Sequence, residues 1–151
     1  MNNMGYYTYF TLGVHDRKFD VNCPDITIDF EVEKKIAVEL AKIIYEIKPS
    51  EMTESDVSYL AEVEECGIHY VLSDSMKWYN HEDDMCKLSA MFPNLYFTLE
   101  GDGEEFDDFW RKLFHNGQCL GCVDGEICYP DFDINYWEVD DEEPQETQIE
   151  K

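Results

Sequence analysis

The chain opens with alternation. Between Gly5 and Val14, Phe10 and Leu12 fall on one side of a strand while Tyr7, Tyr9 and Thr11 fall on the other, so the Phe10/Leu12 side is expected inside. Asp16 to Asp25 reads as a loop, with Asn22 and Pro24 as turn residues, and Ile26 to Phe30 as a short strand. The period then changes. From Glu31 to Ile47, Val32, Ile36, Leu40, Ile43, Ile44 and Ile47 recur at helical spacing opposite Lys34, Lys35, Glu39, Lys42 and Glu46, and Pro49 ends the run. A second helix is expected over Ser55 to Cys66, capped by Ser55 or Thr53, with Val57, Leu60 and Val63 inward and Gly67 as its stop. Ile68 to Leu72 follows as a strand or its approach. Asn80 to Phe92 reads as a third helix, with Asn80 as N-cap, Glu82, Asp83 and Asp84 in a first turn that favours acids, and Met85, Leu88 and Met91 or Phe92 inward. Leu95 to Gly101 is a strand with Leu95, Phe97 and Leu99 on one face.

The stretch after it supports two readings. As a helix from Glu104, it would align Phe106, Phe109, Trp110, Leu113 and Phe114 along one stripe. As a strand, Phe106, Asp108, Trp110, Lys112 and Phe114 alternate with their neighbours and the run ends at Asn116-Gly117, a strong hairpin signal, with Gln118 to Tyr129 returning. The turn favours the hairpin. The sum is an α+β domain over residues 1–139, an antiparallel sheet with two to three helices packed on one face, followed by an acidic tail over residues 140–151.

Composition changes the picture through charge. The 151 residues hold 11 Lys and Arg against 35 Asp and Glu, a net charge of −24. That is far beyond the magnitude of about 2–8 that keeps a small domain soluble. Such a surface repels nucleic acid, whose binders place cations on phosphates, and it favours a partner with a basic face. General acidity, as in a protein adapted to high salt, is the plainer explanation. The opening MNNMGYYTYF lacks a basic start and a long apolar run, and no window approaches the ~20 apolar residues of a membrane span. These features predict a cytosolic protein that does not engage membranes, and six cysteines that are free thiols rather than a disulfide framework.

Six carboxylates crowd residues 100–108: Glu100, Asp102, Glu104, Glu105, Asp107 and Asp108. In an extended strand, residues two apart share a face roughly 6.6–6.8 Å apart, close to the spacing of successive phosphates. A row such as Glu100, Asp102 and Glu104, or Asp124 and Glu126, therefore suits imitation of a nucleic-acid backbone, with Trp78, Tyr79, Trp110, Tyr129 and Trp137 as candidate aromatic anchors. The ordinary alternatives are a solvated face for the acids and core packing for the aromatics. Calcium loops are only faintly suggested, because the D-x-[DN]-x-[DN]-G pattern is missing. No Ser, Cys or Lys stands in a recognisable catalytic setting. Cys119 and Cys122, with Cys128 six residues on, are the best zinc candidates, but a site needs four ligands and residues three apart on a strand point to opposite faces unless a bulge intervenes.

The block from Lys77 to Gly117, with Lys77-Trp78-Tyr79-x-His81-Glu82-x-Asp84-Met85, then Leu88-Ser89-x-x-Phe92-Pro93, Gly101-x-Gly103-Glu104-Glu105 and Asp108-x-Trp110, resembles a motif of small proteins from phages and mobile elements. The resemblance implies a compact α+β domain, ferredoxin-like as in YubB-like and phage Api-type proteins, in which the GDGEE turn and the W-x-x-x-F hairpin belong to the scaffold. By analogy, it suggests an inhibitor of host defence such as an anti-CRISPR protein. The resulting expectation is a non-enzymatic, cofactor-free inhibitor, monomeric or homodimeric, in the host cytoplasm. It would occupy a basic nucleic-acid-binding host defence effector by DNA mimicry. An immunity protein or acidic adaptor, and a small zinc-binding regulator, are the alternatives.

Overall fold

The structure is a computed structural model that describes residues 5–18, 21–22, 25–129 and 131. Strand β1 (Thr8–His15) is followed by helices α1 (Phe30–Tyr45), α2 (Glu54–Cys66), α3 (Ile68–Val71) and α4 (His81–Met91), then by β2 (Tyr96–Gly103), β3 (Phe109–His115) and β4 (Gln118–Asp124). The four strands form one antiparallel sheet in chain order, β1-β2-β3-β4. The α+β class with an antiparallel sheet is as the sequence predicts. Like ferredoxin-like domains, this one layers helices on a four-stranded antiparallel sheet. It differs in connection, because every helix among the described residues precedes β2, and β3 and β4 are joined by the two-residue Asn116-Gly117 turn. Both turn residues have positive φ, 48° and 85°, which Asn and Gly adopt at low cost.

One face of the sheet meets the helices. Phe10, Leu12 and Val14 of β1 lie opposite Gly101, Leu99 and Phe97 of β2, which lie opposite Trp110, Lys112 and Phe114 of β3. Against this face pack Ile36 and Leu40 of α1, Val63 of α2, Ile68 of α3 and Met85 and Leu88 of α4, all buried in a single cluster. Each such side chain contributes roughly 1.5–3 kcal/mol through burial. Close approach is required at Gly101, where a Cβ would sit 2.2 Å from Cζ2 of the Trp110 indole.

Helix boundaries follow from capping. Thr53, one of the two residues proposed for the role, caps α2 through a reciprocal box: Thr53 Oγ1 accepts from the Asp56 amide, and Asp56 Oδ2 accepts from the Thr53 amide, both at 3.1 Å. Gly67 stops the helix at φ 88°. The Glu33 carboxylate then takes the amide of Ile68 at 3.0 Å.

Two expected strands are absent as such. Ile68 to Leu72 forms the short helix α3, because the Gly67 turn leaves Ile68 and Val71 on one side, where both are buried. Ile26 to Phe30 contributes only a single parallel bridge, Val14 to Ile26, and Phe30 already belongs to α1. That bridge and the Thr8–Met76 bridge both pair with β1 on the edge away from β2.

Candidate functional site

The antiparallel order brings distant acids to one end of the sheet. Thr8 pairs with Gly103, Asp102 with Phe109 and Trp110 with Asp124, so the start of β1, the β2–β3 turn and the end of β4 are neighbours. Asp102, Glu104, Glu105, Asp107, Asp124 and Glu126 are all exposed there. Among the described residues, no cation forms an ion pair with any of them.

The turn is held from beneath. The Gly103 amide donates to the Asp108 carbonyl at 2.7 Å, and the Asp108 amide donates to the Glu105 carbonyl at 3.1 Å. Tyr6 Oη donates to Asp108 Oδ2 at 2.5 Å and accepts the Glu105 amide at 3.0 Å, while the Tyr7 amide donates to Glu104 Oε2 at 2.6 Å. The bond to the Asp108 carboxylate holds the Tyr6 phenol above its usual pKa, because ionising it would set two anions together. Phe106 sits on this turn with 81% of its surface exposed. Around it stand Glu104, Glu105 and Asp107. An exposed apolar ring thus stands on a hydrogen-bonded turn among carboxylates that have no ion-pair partner among the described residues.

Several expected site residues lie elsewhere or have other work. Trp78 is a core residue, 7% exposed, packed edge-on to Phe10 at 5.1 Å, with its indole N–H donating to Asp84 at 2.8 Å. Trp110 is half-buried on the helix side, stacked on His81 at 4.8 Å. Glu100 is neutralised: Arg111 Nε and Nη2 both reach its Oε2, at 2.7 and 2.6 Å. Only Glu100 and Asp102 share a strand face, because β2 ends at Gly103 and Glu104 belongs to the turn. The extended row of three is therefore corrected to a cluster around a loop. Asp108 is tied to Tyr6 rather than turned outward. Trp137 and the tail over residues 140–151 lie outside the described residues. Charge is not confined to the sheet end, for α2 carries Glu54, Asp56, Glu62, Glu64 and Glu65 without a Lys or Arg.

Next to the tip, the face of the sheet away from the helices holds a concavity of about 480 Å³ between Tyr9, Glu100, Asp102, Phe109, Arg111 and Val123. Tyr9 and Val123 are exposed there. Together with Phe106, they add apolar surface beside the carboxylates.

The cysteines are arranged as a bulge allows. Phe114 pairs with Cys119 but Leu113 pairs with Gly121, so Leu120 is the extra residue and both Cys119 and Cys122 lie on the helix side, opposite Phe114 and Lys112. Burial pushes the Cys86 and Cys119 thiols above their usual pKa, which disfavours the thiolate that binds metal or attacks an electrophile. Among the described residues, no group of three or more His, Cys, Asp or Glu side chains is placed to hold a metal ion. No described helix is long and apolar enough to cross a membrane.

Phe106 is the functional candidate that sequence reading placed wrongly. Alternation begun at Phe106 puts it in register with Trp110, whereas β3 begins only at Phe109. The signal that marks it was the surrounding GDGEE-x-DD, which is turn-like rather than strand-like. Comparison of the chain with protein-family models, with curated proteins and with solved structures gave no match.

Proposed function

We propose that this chain is a non-catalytic binding protein. The braced, acidic end of its sheet docks on a basic, nucleic-acid-binding surface of a host defence protein, carboxylates standing where phosphates would lie and Phe106 seated as the apolar anchor. One observation carries the reading: a hydrogen-bonded turn that carries an 81% exposed phenylalanine among carboxylates with no ion-pair partner among the described residues. Charge would steer encounter and the ring would supply desolvated contact. A phage origin, the anti-CRISPR type of activity and action in the host cytoplasm follow from the motif resemblance alone.

A second reading draws on the same tip. A projecting phenylalanine on a fixed loop also suits an immunity protein or adaptor that plugs a cleft without imitating nucleic acid. Competition separates the two. The tagged protein is used to capture a bacterial lysate, and the captured protein is challenged with duplex DNA and with RNA at fixed ionic strength. Displacement by nucleic acid, together with loss of capture by Phe106→Ala, supports the mimic. Capture that survives saturating nucleic acid rejects mimicry in favour of the plug.

A further inference from the structure

On a molecule with net charge −24, four of the 11 Lys and Arg side chains line one cavity. It measures about 500 Å³ and lies between the end of α1, the following loop and the segment that leads into α4. Lys42 comes from the last turn of α1, Lys48 from the loop, Lys77 from the approach to α4 and Lys87 from α4 itself. Glu46 and Asp84 also line it, but Asp84 accepts the Trp78 indole N–H at 2.8 Å and is engaged there. Lys42 reaches Glu39 at 3.6 Å, and the Lys77 ammonium lies over the Tyr7 ring at 5.3 Å. Among the described residues, Lys48 and Lys87 have no ion-pair partner.

Placing four ammonium groups at one concavity costs mutual repulsion that an acidic chain could relieve by pairing them with its surplus carboxylates. Among the described residues, only Lys42 is paired in this way. Half-buried Ile43 and Ile44 line it with the nearly buried Ile47 and Trp78, and the exposed Tyr79 ring lines it as well. Lysines beside isoleucine and aromatic side chains, in a volume typical of small-ligand sites at about 300–1,000 Å³, fit an amphipathic anion. We infer that this cavity binds a phosphorylated small molecule with a flat apolar body, of the nucleotide class, the lysines taking the phosphates and Ile43, Ile44 and Tyr79 the base. The inference does not rest on the proposed function, although the two regions adjoin: the Tyr6 amide donates to Tyr79 Oη at 2.7 Å, and Lys77 lies over the Tyr7 ring.

The field of the whole chain sharpens the test, because a net charge of −24 repels anions everywhere except where local cations outweigh it. Calorimetric titration with ATP, tripolyphosphate and adenosine, in low salt without divalent metal, reads each part of the proposal. ATP is expected to bind, tripolyphosphate to bind several-fold more weakly, and adenosine to give no heat. The double variant Lys48→Gln/Lys87→Gln should weaken ATP at least roughly ten-fold, while Lys34→Gln/Lys35→Gln, on the other part of α1, should leave it unchanged. Both cavity lysines are exposed, so the variants should melt like the parent protein. Absence of ATP binding would overturn the inference. So would equal losses in the two double variants, or tripolyphosphate binding as tightly as ATP.

Discussion

Tyr6 and Asp108, 102 positions apart, share a 2.5 Å hydrogen bond, and the same phenolic oxygen accepts the amide of Glu105. The residue ahead of the first strand thus fixes the turn that carries Phe106. Tyr6→Phe removes both bonds and leaves the ring. The Glu105 amide should then exchange with solvent faster, and one tyrosine titrating above its ordinary value of 10.0 should vanish from the ultraviolet titration. Unchanged exchange at Glu105 would mean that the turn is held by its backbone alone.

Phe106, 81% exposed, buries little surface in the fold. Phe106→Ala should shift unfolding free energy by less than about 0.5 kcal/mol, as for other surface positions. It should cost at least about 2 kcal/mol of partner affinity, as at an interface anchor. Denaturant unfolding and a binding titration check the two halves separately.

His81 couples the helix layer to pH. Its Nε2 lies 2.9 Å from Lys112 Nζ and its Nδ1 lies 3.0 Å from the Trp78 carbonyl. Those contacts define a neutral ring that donates through Nδ1 and accepts from the ammonium. Burial lowers its pKa below 6.5, and Lys112 adds to the effect, while Glu82 and Asp84 oppose it. Below the unfolded value, the unfolded chain binds more protons than the native one. This stabilising contribution is therefore complete above pH 6.5 and is lost as the pH falls toward the depressed native value. Urea unfolding between pH 7.5 and pH 5.5, a range set around that value, should show stability declining with acid. His81→Phe should flatten the slope.

Gly101 and Trp110 test the sheet's inner face. With a Cβ only 2.2 Å from the indole, Gly101→Val must displace Trp110 and, through it, the stacked His81. The cost should be about 1–3 kcal/mol, the usual range for overpacking. A near-neutral result in thermal unfolding would show that Trp110 moves freely.

The elements with a strong period were legible. The apolar stripe of α1, the Phe97/Leu99 alternation of β2 and the Asn116-Gly117 turn each announce themselves over short range, and the structure places them within a few residues of expectation. Trp78 was not legible, because it enters the core from an irregular segment with no period to assign it a face. Neither was α3, a single turn whose apolar run of four reads equally well as strand. The acids of the site were visible as a run. Their use was not, since it depends on Arg111 reaching Glu100 across the β2–β3 pair and on Tyr6 reaching Asp108 from the far end of the chain.

The most direct test of the acidic tip is the salt dependence of partner binding. The variant Glu105→Gln/Asp107→Asn removes two exposed charges and spares Glu104 and Asp108, whose carboxylates brace the turn. Against the captured partner, the variant should bind at least about ten-fold more weakly at low salt, and its affinity should fall less steeply as salt rises. Equal affinity with an equal salt slope would contradict the account, for it would mean that the partner does not engage this end of the sheet.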